Sequence, residues 1–433
     1  MKRPLHRTFQ SLTVRNFRLF TAGQLVSVTG TWMMVVAQDW LVLSRTGNSG
    51  TALGVVTALQ FAPLILLTLW AGGLADRHDK RRLLMAANLA AGALALGLAV
   101  LVLAGDVRLW QIYLFALGLG TVNAVEVPAR MSFVSELVGP ELVPNASALS
   151  AVYFNVARVV GPGVAGLLIS RVDTGPVMLV NAFSYLATWG GLRLIRPAEL
   201  HRAARRPGRA PVGEGIRHVL SRRDLALPMA LVAVVGMFGF NFQLTLPLLA
   251  KVVFQADAAA FGLLTTALAA GSLVAAFVTT GRRSRPGLGH VVAAAAGFGA
   301  VEALAALAPG FGAAAALLFL TGFGSIYFSQ AANHCVQLGA DPAYRGRVMA
   351  LFTLVFQGTT PFGALLVGAL AESHGARSGL LLGGVASAFA AAVVLGVHRT
   401  FPPRVPLEPG APADPGPADG DPRGARAVAD RAP

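Results

Sequence analysis

The stretch GGLADRHDKRRLL, residues 72–84, places a short run of charged side chains between two long apolar segments. Residues 50–75 precede it and residues 82–104 follow it, and both segments are dominated by Ala, Leu and Gly. A membrane-spanning helix needs about 20 largely apolar residues, because each residue adds about 1.5 Å across a hydrocarbon core of about 30 Å. The charged stretch therefore predicts a short loop between two membrane-spanning helices.

The same criterion, applied outward from this loop, predicts twelve spanning helices. Their approximate ranges are 16–43, 50–75, 82–104, 109–136, 144–170, 174–195, 224–252, 258–281, 288–308, 311–337, 346–372 and 376–398. The composition agrees, because 55% of the residues are hydrophobic and 13% are charged, against about 25% charged residues in typical globular proteins. The sequence therefore predicts an all-α integral membrane protein.

Basic residues give the chain a formal net charge of +15, but they lie between apolar segments and do not form the basic face that nucleic-acid binding needs. Lys and Arg accumulate in cytoplasmic loops of membrane proteins. With both termini in the cytoplasm, only five of the 35 Lys and Arg residues fall in outer loops, namely Arg45, Arg108, Arg171, Lys251 and Arg377. This asymmetry predicts a multi-pass protein of the bacterial inner membrane with cytoplasmic termini and no nucleic-acid partner.

The two halves of the chain resemble each other, which predicts a repeated six-helix unit around a central cavity. A shift of 202 positions superposes Gly161 and Gly166 on Gly363 and Gly368, and a shift of 204 superposes Gly118 and Gly120 on Gly322 and Gly324. The predicted organisation is an N-terminal half (1–195), a basic cytoplasmic linker (196–223), a C-terminal half (224–398) and a disordered Pro-rich tail (399–433).

The charged loop resembles the signature loop of the major facilitator superfamily. The matching positions are Gly73, Asp76, Arg77, Lys80 and Arg81. The resemblance implies a gating function, in which the Asp76 carboxylate engages the positive amino-terminal end of the eleventh helix and latches the halves together. His78 and Asp79 stand where the family usually has a glycine.

The segment from Val127 to Ile169 resembles the macrolide-efflux and enterobactin (siderophore) exporter branch of that superfamily. Its run GPGVAG, with Gly161, Pro162 and Gly166, resembles the antiporter motif of exporters, in which small residues allow close helix packing. A dinucleotide-binding interpretation fails, because that motif needs a preceding strand. The resemblance favours export over uptake.

Charged residues inside spans are candidates for function, because each costs at least about 2.5 to 3.5 kcal/mol at the bilayer centre. Asn123, Glu126 and Arg130 share one face of the fourth span, so they are candidates to line a cavity. Their expected repeat partners on the tenth span are Tyr327, Gln330 and His334. Two interpretations of Glu126 stay open, a proton carrier and a permanent ion pair with Arg130 or Arg158.

Three further charged residues lie within predicted spans. Arg158 is a candidate for contact with an anionic substrate group or with a neighbouring acidic side chain. Glu302 and Asp39 are further candidates for proton coupling, and Asp39 is also close enough to the outer interface to act in gating.

Several functions are disfavoured by what the sequence lacks. No Gly-Lys pair forms a phosphate loop, and no HExxH, Cys pair or Ser-His-Asp set indicates an enzyme or a metal site. We therefore predict no cofactor and no catalytic residue, with the proton gradient as the driving force. The leading prediction is a monomeric proton-coupled exporter of drugs or small amphipathic metabolites; a specific siderophore exporter, an uptake permease and a non-transporting receptor remain alternatives.

Overall fold

The computed structural model describes residues 9–201, 212–279 and 284–400, with only the backbone described at residues 68–73, 75, 76 and 212. Twelve long helices dominate these ranges. They are α1 (Arg15–Arg45), α2 (Gly50–Arg77), α3 (Lys80–Leu103), α4 (Leu109–Val138), α5 (Val143–Val172), α6 (Thr174–Leu194), α7 (Arg223–Phe238, Phe242–Leu248 and a π-helical turn Leu249–Val253), α8 (Ala258–Thr279), α9 (Leu288–Ala306), α10 (Phe311–Gly339), α11 (Arg345–Gly358 and Thr360–His374) and α12 (Ser378–Thr400). The predicted all-α fold is confirmed, whereas the disorder predicted for the tail concerns residues that lie mostly outside the described ranges.

Eleven of these segments are long and apolar enough to cross a membrane, as judged over the described residues. The other, α6, is a 21-residue helix that packs against α1 and α3. Local sequence sets where neighbouring helices begin: the Ser49 side chain caps α2 by accepting from the Ala52 amide at 3.1 Å, and Asp79 caps α3 by accepting from the Arg82 amide at 3.0 Å. Short capped loops of this kind keep consecutive helices antiparallel.

Two helices that the hydropathy pattern predicts to be continuous are interrupted. The α-helical part of α7 stops at Phe238 and resumes at Phe242, and α11 is interrupted at Thr359. Pro361 lies in the first turn after the α11 interruption, where its missing N–H needs no partner. Hydropathy detects an apolar stretch and is insensitive to such interruptions.

The helix pairings of the first half recur in the second. In the first half, α1 packs on α6, α3 packs on both α4 and α6, and α2 packs on α4. In the second half, α7 packs on α12, α9 packs on both α10 and α12, and α8 packs on α10. A Cβ built on Gly120 of α4 would contact the Gln60 carbonyl of α2, and one on Gly322 of α10 would contact the Leu268 carbonyl of α8. These contacts pair Gly120 with Gly322, so the shift of 202 extends to these helices and the expected shift of 204 is wrong.

The close contacts between the halves lie from mid-depth to the arginine-poor end, the end at which α1 stops and α2 starts. A Cβ on Gly54 of α2 would stand 2.5 Å from the Ala364 carbonyl of α11 and 3.4 Å from the Gly368 Cα. The repeat-related pair is Gly166 of α5 and Gly262 of α8, where a Cβ on Gly166 would stand 3.0 Å from the Gly262 Cα. Two glycine crossings thus hold the halves together at this end.

Polar and aromatic contacts join the halves at the same end. Lys251 donates to the Ser44 hydroxyl at 2.6 Å and lies 4.6 Å from the centre of the Trp40 ring. The Glu372 carboxylate accepts from the Ser49 hydroxyl at 2.9 Å. The hydrophobic effect does not drive apolar helices together in lipid, because lipid tails are as apolar as the helices. Close packing and polar contacts of this kind therefore provide the association energy.

Part of the predicted linker forms a short helix, the linker helix (Val212–Ser221), which lies against the start of α11. Glu214 accepts a hydrogen bond from Arg347 at 2.7 Å, and the His218 ring stacks on Tyr344 with ring centres 4.4 Å apart. Val219 is buried with the core of the second half. The linker is therefore anchored at this point.

We expect Val219→Asp to release the linker helix, because it places a charge in an apolar contact. Trypsin should then cleave after Arg217 at least about tenfold faster than in the wild type, since proteolysis follows the population of locally open states. The cleavage is followed by mass spectrometry of the purified protein. Ile216→Asp is the matched control, because Ile216 is 41% exposed on the same helix; equal acceleration in both variants would contradict the docked arrangement.

Candidate functional site

A cavity of about 330 Å³ lies at mid-depth in the bundle. Helices α1, α2, α3, α4, α5 and α6 supply most of its lining, and Gln243 of α7 and Gln357 of α11 supply the contribution of the second half. Its volume falls at the lower end of the range of small-molecule sites, about 300 to 1,000 Å³.

Carboxamide side chains recur around this cavity. They are Gln24, Gln38, Gln60, Asn88, Asn123, Gln243 and Gln357. Gln243 donates to the Gln60 side-chain oxygen at 3.0 Å, which joins α7 of one half to α2 of the other. Gln24 and Gln38 are 2% and 1% exposed, and no described residue hydrogen-bonds to the Gln38 amide nitrogen.

Aromatic rings complete the lining. They are Trp32, Phe61, Phe154 and Tyr185. The Trp32 and Phe154 rings meet edge to face, with centres 6.1 Å apart. The cavity thus combines rigid apolar faces with groups that both donate and accept hydrogen bonds.

One ion pair is part of the lining. Arg130 Nε donates to Glu126 Oε1 at 2.9 Å, and both residues lie one turn apart on α4. Their side chains are 18% and 16% exposed, so the pair is partly shielded from solvent, and the interaction is charge-assisted. The two opposite charges leave this part of the cavity with no net charge.

The structure separates the sequence-predicted cavity residues into two groups. Asn123, Glu126 and Arg130 line the cavity, whereas Tyr327, Gln330 and His334 are absent from its described lining. The positions of α10 that match the first group by the shift of 202 are Ser325, Phe328 and Ala332, all buried. Tyr327, Gln330 and His334 therefore stay predicted cavity residues, and under the shift of 202 they lie two residues, about 200° of helix rotation, from the counterparts of the first group.

Arg158 of α5 lies next to the cavity without lining it. Its guanidinium carbon is 5.7 Å from the centre of the Trp32 ring, a cation–π distance. Glu126 is paired with Arg130 and not with Arg158, which decides between the two ion-pair partners that the sequence left open.

The two remaining coupling candidates are buried away from the cavity. Asp39 is 0% exposed and Glu302 is 1% exposed. Neither Asp39 oxygen, nor Oε2 of Glu302, has a hydrogen-bond partner among the described residues. Unpaired carboxyl groups at this depth are energetically costly.

The charged loop joins several helices of the first half. Lys80 forms an ion pair with Glu136 of α4, and Arg81 donates to the carbonyls of Leu192 at 2.7 Å and Arg193 at 3.1 Å, at the end of α6. The Asp76 side chain and the surroundings of Gly73 lie outside the described part of the chain, so the expected latch stays a prediction. Arg77 is exposed at the end of α2.

The GPGVAG run packs two ways. A Cβ on Gly161 would stand 2.7 Å from the Trp32 Cβ of α1, whereas Gly166 crosses α8 of the other half. A Cβ on Gly262 of α8 would in turn contact the Pro162 carbonyl. The small residues of this run are therefore required by close approach both within a half and between the halves.

Sequence reasoning missed the carboxamides of α1 and the inter-half pair Gln60 and Gln243. A signal was present, since Gln24, Thr31 and Gln38 recur every seven residues and share one face of α1. The sequence prediction relied on charged residues, because burying a charge costs more free energy than burying a neutral amide. In the cavity lining, however, neutral amides outnumber charged residues. No group of three His, Cys, Asp or Glu side chains able to hold a metal ion occurs among the described residues.

A bundle of two repeated six-helix units with a polar cavity at mid-depth is the architecture of a secondary membrane transporter. Residues 6–407 match the family described as transmembrane secretion effector, and the chain belongs to that family, within the major facilitator superfamily. The resemblance seen in the charged loop is thereby confirmed, and the protein is a transporter and not an enzyme.

Relatives fall among transporters and efflux pumps. The chain is 26% identical to the staphyloferrin A transporter of Staphylococcus aureus over 60% of this chain and 66% of that protein. It is 25% identical to the multidrug efflux pump Tap of Mycobacterium tuberculosis, covering 84% and 88% of the two chains. It is 26% identical to the enterobactin exporter EntS of Escherichia coli, covering 85% and 90%.

Solved structures share the fold at low identity. The nucleoside transporter NupG superposes with a TM-score of 0.72 at 12% identity, over 89% of this chain and 99% of that one. A bacterial homolog of the human lysosomal transporter Spinster superposes with a TM-score of 0.69 at 16% identity, over 92% and 97%. The major facilitator fold predicted from sequence is confirmed.

Proposed function

We propose that this protein is a proton-coupled exporter of drugs or small amphipathic metabolites, working by alternating access in the bacterial inner membrane. The observation that carries the proposal is the cavity at mid-depth, which holds the Glu126–Arg130 ion pair while the halves touch from mid-depth to the arginine-poor end. The functions of two relatives, multidrug efflux and enterobactin export, support export over uptake.

The orientation follows from charge. With the arginine-rich loops and both termini in the cytoplasm, the end closed by Gly54 and Gly166 faces outward. The protein is then in an inward-facing state, ready to take substrate from the cytoplasm. The cavity forms within one chain, so a monomer suffices for the cycle.

In the outward step the two glycine crossings separate and the arginine-rich ends approach each other. Asp76 is the proposed latch for that state. Lys80 and Arg81, which follow Asp76 in the charged loop, bind α4 and α6. These contacts hold the loop next to Asp76 against the first half. The free energy gained by closing one end thus offsets the free energy needed to separate the helices at the other.

Glu126 is the proposed proton carrier for coupling. It lines the cavity, where water and substrate reach it, whereas Asp39 and Glu302 are buried in this state. Protonation of Glu126 removes the charge that Arg130 needs as a partner at 2.9 Å, so proton binding and the arrangement of the cavity are linked.

The proposal is tested by substrate-driven proton flux in inverted vesicles that contain the purified protein, screened over macrolides, dyes and siderophores. We expect proton movement on addition of a substrate, its loss in Glu126→Gln, and a slower cycle in Asp76→Asn. Glu141→Gln is the control, because Glu141 is exposed outside the cavity.

Flux that persists in Glu126→Gln would remove Glu126 as the proton carrier. Substrate movement that is indifferent to a pH gradient would remove proton coupling while leaving export intact. Binding of compounds with no flux of any of them would favour a non-transporting receptor.

A further inference from the structure

We infer that the cavity selects an uncharged substrate that carries several hydroxyl, carbonyl or amide groups on an apolar ring system. The inference rests on the proposed transport function and specifies its substrate class. It follows from the unpaired carboxamides of the lining, the internal neutralisation of its charges and the aromatic faces beside them.

The carboxamides supply the recognition. Gln24, Asn123 and Gln357 have no hydrogen-bond partner among the described residues, and neither has the Gln38 amide nitrogen. Gln38 is 1% exposed, so its amide nitrogen is buried without a partner from the described part of the chain. An amide carries both donors and acceptors, so a set of unpaired amides matches hydroxyl, carbonyl and amide groups and favours neither sign of charge.

The charges of the lining leave little attraction for an ion. The Glu126 carboxylate is engaged by Arg130 at 2.9 Å, so a cation entering the cavity meets no unpaired carboxylate among the described lining residues. Burying a charge without a counter-charge costs far more than burying a neutral polar group, and this cost acts against a lipophilic cation.

An anion is disfavoured by the same lining. A multiply charged carboxylate needs several positive donors, whereas Arg130 is already paired and Arg158 is not part of the described lining.

The aromatic rings define the apolar part of the substrate. Trp32 and Phe154 meet edge to face at 6.1 Å and present a fixed apolar wall. Gln38 of α1 and Asn123 of α4 line the same cavity as this wall, so a substrate in it meets the rings and the amides of both helices. The Gln60–Gln243 hydrogen bond of 3.0 Å spans the halves in the same cavity, so a substrate that binds these amides also touches both halves.

The test is equilibrium dialysis of radiolabelled probes against the full chain in lipid nanodiscs, with empty nanodiscs subtracted. The uncharged probes are chloramphenicol and a macrolactone aglycone, the cation is tetraphenylphosphonium and the anion is citrate. We expect at least one uncharged probe to bind about tenfold or more tightly than both ions. If neither uncharged probe does so, the inference is overturned.

The site is tested by Gln38→Leu and Gln24→Leu, each checked by thermal denaturation for an intact fold. We expect each to weaken the uncharged probe about tenfold, because the hydrogen-bonding group of the probe then loses its partner. Gln337→Leu is the matched control on α10, a half-buried residue outside the described lining. Unchanged binding in both cavity variants would overturn the assignment.

Failure of the inference and failure of the proposed function give different results. Tight binding of an uncharged probe that proteoliposomes never move would end the transport proposal and leave the inference standing. Proton-driven export of tetraphenylphosphonium, with weaker binding of both uncharged probes, would overturn the inference and leave the transport proposal standing.

Discussion

Gly54→Val is expected to open the arginine-poor end of the protein and to stop export. A Cβ atom added at this position would stand 2.5 Å from the Ala364 carbonyl oxygen. Gly54 and Ala364 belong to helices of different halves. Overpacking at a close contact costs about 1 to 3 kcal/mol, which shifts a two-state equilibrium by roughly 5- to 150-fold. Here that cost falls on the state in which α2 and α11 touch.

The opening is measured by pulsed electron paramagnetic resonance between spin labels at Asn48 and Arg377. These positions lie in loops at the arginine-poor end, one in each half. The only native cysteine, Cys335, is buried and is first replaced by serine. We expect the short-distance population of the parent protein to move to longer distances in Gly54→Val.

The control is Gly297→Val in α9, because a Cβ at Gly297 would meet nothing within 4 Å. It carries the same change of helix propensity without the clash. If Gly54→Val keeps the short distances and a normal export rate, the Gly54–Gly368 crossing does not close the protein, and the direction of the cycle proposed above is wrong.

Glu302→Met is expected to make the protein more stable and less active. The side chain is 1% exposed, and Oε2 lacks a hydrogen-bond partner among the described residues. An unsatisfied buried polar group costs about 1 to 3 kcal/mol, and methionine of similar length removes that cost. We expect the melting temperature in detergent, followed by tryptophan fluorescence, to rise by a few degrees.

The same variant tests whether the destabilising carboxyl group of Glu302 is needed for export. Natural proteins keep destabilising buried groups where activity needs them, so we expect proton-driven export to fall while binding of the substrate persists. A rise in stability with unchanged export would remove Glu302 from the coupling candidates.

Glu136→Met is the matched control with the opposite expected sign. Glu136 is 9% exposed but forms an ion pair with Lys80. Its replacement leaves Lys80 without its partner, so the melting temperature should fall. A lower melting temperature in both variants would show that the Glu302 side chain makes a net stabilising contribution, although its Oε2 atom lacks a hydrogen-bond partner among the described residues.

The sequence by itself determined the fold class, the positions of the long apolar helices and the superfamily. Each depends on local information: about 20 apolar residues make a span, and the loop from Gly72 to Leu84 carries its motif in consecutive residues. The predicted helix ends fall within a few residues of those observed, for example 109–136 against Leu109–Val138. The repeat was visible as well, because Gly161 and Gly166 match Gly363 and Gly368 at one shift.

Only the tertiary structure decided which polar residues share a cavity and which lie apart. Glu126 and Arg130 lie one turn apart, so their pairing could be predicted from helix geometry, but the Gln60–Gln243 contact joins residues 183 positions apart. Glu302 and Asn123 look alike in sequence, as polar residues within apolar spans. Yet one is buried between α9 and α12 and the other lines the cavity, because helix rotation and packing against neighbours, and not composition, fix the direction in which a side chain points.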